Sequence, residues 1–122
     1  MHEKQLAVQR ESEGIQTLLQ HSQAHVDSGT TRTNEDGTTS SLISTIISDE
    51  RLNQGRETVI PLFWNGKERS HKDAIEFALQ SGKTWPSAIT VDEAQFIDDV
   101  AHVTLRKQVP GEDNAERKDF IP

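Results

Sequence analysis

The chain has 122 residues, enough for one domain, and 32% of them are hydrophobic, so a compact core involves only part of it. A formal net charge of -7 speaks against sequence-independent nucleic-acid binding and against docking on an anionic membrane. There is no cysteine, which excludes disulfide and thiolate chemistry.

Residues 3–25 contain one glycine, Gly14, no proline, and many strong helix formers. They are expected to form a helix whose apolar cluster is Ile15, Leu18 and Leu19 at i, i+3, i+4 spacing. An isolated helix of this length is marginal in water, so it needs a partner surface, either its own domain or another subunit. The residues from Asp27 to Ser41 turn to Ser, Thr, Gly, Asn and Asp. They read as a linker, or as a tight turn over Asn34–Thr38, where Asp36-Gly37 suits positive φ angles.

The β-branched run from Ser40 to Ser48 reads as a strand, and the polar segment from Asp49 to Gly55 as a hairpin loop. Arg56 to Trp64 is the returning strand. Pro61 has no amide hydrogen, which predicts an edge strand or a bulge there. Asn65-Gly66 closes it with a turn.

Ser70 and Asp73 form the start signal of a helix that stops at Gly82. After a connector holding Trp85-Pro86, Thr90 and Glu93 make a second capping box. The expected buried stripe of that helix is Val91, Ala94, Ile97, Val100, Ala101 and Thr104. Residues 108–122 hold two prolines and alternating charges and read as a mobile tail. The expected class is therefore α+β: a small β-hairpin or sheet packed on two helices. The expected divisions are an N-terminal helical arm (1–30), a ββαα core domain (31–107) and a flexible C-terminal tail (108–122).

No residue set carries an obvious chemistry. His21 and His25 sit at i, i+4, a spacing that can place two imidazoles on one metal. No Glu follows His21 and no third ligand is near, so two solvated histidines and no metal are expected. Asp92 and Glu93 suit the positive end of a helix dipole, and Asp98 and Asp99 are expected on the solvated side. His71 and Asp73 have no Ser or Cys nucleophile in a motif beside them, so a catalytic triad can arise only through tertiary contacts. The glycines are too widely spaced for a phosphate loop, and no cofactor is expected. Trp64 and Trp85 are expected to cover the core, with an exposed interface anchor as the alternative.

Residues 34–102 carry a recognisable order of short motifs. These are Asn34, Asp36, Gly37 and Thr38; Ser44 and Thr45; Glu57, Val59, Ile60 and Pro61; and Asn65, Gly66 and Lys67. Asp73, Ala74 and Ile75, Ser81-Gly82, then Thr90, Glu93, Ala94 and His102 complete it. This stretch resembles a small domain found in bacteriophage virion-associated proteins. It departs at Leu62, where the pattern has Thr, and at Thr84-Trp85-Pro86, where it has His-Leu-Gly. The resemblance implies a setting, the phage particle, and carries over no catalytic residue.

The resulting expectation is a non-enzymatic structural protein of the virion, made in the host cytoplasm. It would dock onto other virion proteins and form a homo-oligomer or symmetric assembly. Interface candidates are Ile15, Leu18, Leu19, Pro61, Trp64, Trp85 and Phe120. Decoration, connector or tail, and internal positions remain open. A small soluble regulatory protein and an accessory module of a cell-wall-degrading enzyme are the alternatives from other classes.

Overall fold

The structure, a computed structural model, describes residues 2–33, 35–37 and 39–108. The N-terminal segment folds as two helices, α1 (His2–Arg10) and α2 (Ser12–Ser28), broken at Glu11. The break has a use: the Glu11 carboxylate accepts the Ser87 N–H at 2.9 Å. Gly29, with φ 70°, ends α2 as a left-handed cap.

The polar stretch that follows is a small hairpin. Strand β1 (Arg32–Thr33) pairs antiparallel with β2 (Thr39–Ser40), and Gly37 between them has φ 85°. Asn34 and Thr38, expected in this turn, lie outside the described residues. The main hairpin joins β3 (Ser44–Asp49) to β4 (Leu52–Pro61). Its turn is only Glu50-Arg51, because Asp49 pairs with Leu52. Asn53, Gln54 and Gly55 then run with φ 50°, 58° and 84°, a left-handed kink inside β4. The kink is held by Asn53, whose Nδ2 donates to Thr58 Oγ1 (3.2 Å) and to the Trp85 carbonyl (3.1 Å).

Next, β5 (Phe63–Trp64) and β6 (Lys67–Glu68) form a third antiparallel pair around Asn65-Gly66, both with positive φ. Helix α3 (His71–Ser81) starts where Ser70 Oγ accepts the Asp73 N–H at 3.1 Å and stops at Gly82, φ 66°. Short β7 (Ser87–Ala88) joins the far side of β4, and α4 (Val91–Gln108) begins with Thr90 Oγ1 accepting the Glu93 N–H at 3.2 Å.

The central sheet thus has the order β3-β4-β7. Strand β4 is central, which corrects the expectation of an edge or a bulge at Pro61. The physical reason lies in the register. Leu62 N–H donates to the Ile43 carbonyl, and Thr45 faces Ile60, so Pro61 occupies a position whose nitrogen points away from β3. On that side β7 pairs only with Glu57 and Thr58, and the last bond is Val59 N–H to the Pro86 carbonyl. Pro61 lies beyond it and no donor is missed.

Successive strand residues point to opposite faces. Ser44 reaches α4 through Asp98 and His102, while Thr45 reaches α3 through His71. The sheet therefore lies between α4 on one face and α3 on the other. Helices α1 and α2 pack against α4. The α+β class holds: a small sheet packed on helices.

One apolar cluster runs through these layers, and it includes Ile15, Leu18 and Leu19 alongside Val59, Ile60, Ala94 and Ile97. The expected arm residues are covered by this chain's own elements, because α4 supplies the partner surface that α2 needs. Gly14 marks the closest approach, since a Cβ there would lie 2.5 Å from Pro86 N. The expected tail from 108 onward, Phe120 included, lies outside the described residues except for Gln108, which closes α4.

Candidate functional site

Three places hold the residues with chemical potential. The first is a buried polar cluster between β3 and α4. Ser44 Oγ donates to Asp98 Oδ2 at 2.8 Å and lies 3.0 Å from His102 Nε2, which is 3.2 Å from Asp98 Oδ1. These are the residue types of a nucleophilic triad in a different arrangement. Because the Ser44 proton is directed at Asp98, the His102 contact needs an N–H on Nε2, and that nitrogen has no lone pair to offer as a base. A triad places the carboxylate on Nδ1 instead. Ser44 and Asp98 are both 0% exposed, so no substrate reaches the hydroxyl. The cluster is a polar clamp that fixes α4 to the sheet.

Asp98 was expected to face solvent, and the structure corrects that. The buried stripe of α4 is Ala94, Ile97, Asp98, Ala101, His102 and Leu105, while Val91 is 47% exposed. The stripe is rotated because two polar groups are accommodated inside by the Ser44 hydroxyl. Only the i, i+4 spacing of Asp98 and His102 hinted at this.

The second place is the His21–His25 pair on α2, and it is not solvated as expected. His21 Nε2 lies 2.6 Å from the Phe63 carbonyl, so that nitrogen carries the proton and donates. His25 Nδ1 donates to the His21 carbonyl at 3.1 Å, and its Nε2 accepts the Gly66 N–H at 3.4 Å. These bonds tie α2 to the β5–β6 hairpin, and the Gly66 N–H occupies the one lone pair of His25, one of the two that a shared metal would need. Among the described residues, no group of three His, Cys, Asp or Glu is placed to hold a metal ion. The His21 ring stands edge-on to Trp64, centroids 4.4 Å apart, and burial there pushes its pKa from 6.5 down to about 4.

Trp64 and Trp85 are core residues in this same region. The Trp64 ring stacks on Phe77 at 5.3 Å and its Nε1 donates to the Pro61 carbonyl at 2.7 Å. Trp85, 2% exposed, donates to the Ala78 carbonyl. Pro61 is buried as well. Of the interface candidates within the described residues, all are therefore covered by the chain itself.

The third place was not singled out by the sequence. A groove of about 550 Å³ runs beside β3, lined by Ile46, Ile47 and Ser48 of that strand, with Glu57, Ile75, Val91 and Gln95 around them. Since α3 and α4 lie on opposite faces of the sheet, a groove bounded by Ile75 and Val91 together lies along the outer edge of β3. Among the described residues no strand pairs with that edge. Ile43, Thr45 and Ile47 bond to β4, so the N–H and C=O groups of Ile46 and Ser48 point outward. The sequence identified the strand, but its edge position depends on which side β7 takes.

No protein-family model matches the chain, and none of the curated proteins or solved structures is significantly similar to it.

Proposed function

We propose that this chain is a non-enzymatic structural component of a bacteriophage particle that works by docking onto other virion proteins. The setting comes from the motif resemblance of residues 34–102, which spans most of the described domain. The observation that supports docking as the mode of action is the outer edge of β3, which no strand pairs with among the described residues, together with its apolar groove. Monomeric proteins usually protect such an edge with Lys, Pro or a covering loop. Here the strand Ser44-Thr45-Ile46-Ile47-Ser48 has no charge or proline until Asp49.

The docking surface in this reading is the β3 edge, in place of the buried Ile15, Leu18 and Leu19. The clamp of Ser44, Asp98 and His102 serves it by fixing β3 against α4, so the edge is rigid before a partner arrives. Repetition in a symmetric assembly would add avidity to a modest single contact. The experiment is mass spectrometry of purified particles with copy-number estimation. Many copies per particle support the reading, and absence from particles defeats it. A protein that is absent but pulls down one host protein would instead be a regulator.

A further inference from the structure

We infer that the β3 edge is a strand-addition site for an extended segment of a partner protein, one with apolar side chains and a single Lys or Arg. This deepens the docking reading above and rests on it. Three observations lead here. The outward N–H and C=O groups of Ile46 and Ser48 offer a template for backbone pairing. The walls rising on either side, Ile75 of α3 and Val91 of α4, are apolar and reached by solvent. A helix laid in the groove would cover those walls and leave the strand groups unpaired, whereas an extended chain satisfies both.

The third observation selects the charge. Glu57 lies opposite Ser48 across the ladder, half-buried on the groove wall. Among the described residues its carboxylate has no ion pair or hydrogen-bonded partner. A carboxylate on a largely apolar wall gains from a cation brought by the ligand, and an added acidic residue there would be repelled. The same feature argues against a second copy of this chain. Self-pairing along β3 would bring up Ser44–Ser48, a strand with no basic residue to meet Glu57, and would join two chains of net charge -7.

The test is a selection of random nine-residue peptides, displayed and captured on the immobilised full-length protein. Expected are enriched peptides with alternating β-branched or aromatic residues and one basic residue at a fixed place. An enriched peptide, measured by calorimetry, should bind about tenfold more weakly to Glu57→Gln and to Val91→Asp. Val103→Asp, exposed on the same helix but outside the groove, should bind as the wild type does. Addition of the peptide should shift the Ile46 and Ser48 amide resonances most. All three substituted positions are reached by solvent, and matching thermal melts confirm that the variants fold.

The inference is overturned by no enrichment, by enriched peptides without a basic residue, or by binding indifferent to both groove variants. It is also overturned if the selected peptides reproduce residues 44–49 or a stretch of 109–122. Those results would assign the edge to a second copy or to the chain's own terminal segment. Particle content tests the docking reading independently, so a failed selection beside abundant virion copies discards the strand mode alone.

Discussion

Lowering the pH from 7 to 5 should destabilise this protein through one buried imidazole. His21 keeps its neutral form because burial beside Trp64 disfavours the charged ring, bringing its pKa from 6.5 to about 4. Above pH 6.5 the ring is neutral in both folded and unfolded chains, and it adds no pH dependence. Between pH 6.5 and 4 the unfolded chain takes up a proton that the folded chain refuses, so stability falls with pH. A displacement of about 2.5 pH units corresponds to roughly 3 kcal/mol once the folded ring also titrates, and about 2 kcal/mol is already lost at pH 5. The assay is urea unfolding at pH 7 and pH 5 for the wild type and His21→Gln, whose side-chain amide can still donate to the Phe63 carbonyl. The wild type should lose about 2 kcal/mol more than the variant. Equal losses, or a His21 ring that titrates near 6.5 by NMR, would refute the reasoning.

Gly14→Ala should lower the urea midpoint by the equivalent of about 1–3 kcal/mol, because its methyl would sit 2.5 Å from Pro86 N; an unchanged midpoint would contradict that packing. Ser44→Ala removes a hydrogen bond to the buried Asp98 carboxylate and should cost roughly 1–3 kcal/mol in the same assay. A fluorophosphonate probe should leave Ser44 unlabelled in the folded protein, since its hydroxyl is fully buried; labelling there would reopen a nucleophilic role. Ser70→Ala should cost about 1 kcal/mol through loss of the α3 cap, read as a lowered melting temperature.

Local signals in the chain were strong where single residues decide geometry. Ser70 and Thr90 cap their helices, Gly82 stops α3, and Asn65-Gly66 turns the β5–β6 hairpin as their side chains and φ preferences dictate. Other features depend on contacts far apart in sequence. The break at Glu11 reflects a bond to Ser87, 76 residues away. Asp98 looked solvated because its polar partner, Ser44, lies 54 residues upstream on another element. Pro61 suggested an edge by a sound rule, and the rule was satisfied by the shortness of β7. His21 and His25 looked like ligands or surface groups, yet each has a backbone partner on a hairpin some 40 residues downstream. The groove followed the same logic: an unpaired edge is a property of the sheet order, which no single strand carries.

The most direct measurement is quantitative mass spectrometry of purified phage particles, with cross-linking to map neighbours. The account predicts many copies per particle and cross-links from residues bordering the β3 edge to another virion protein. Absence from the particles, or cross-links that consistently avoid that edge, would contradict it.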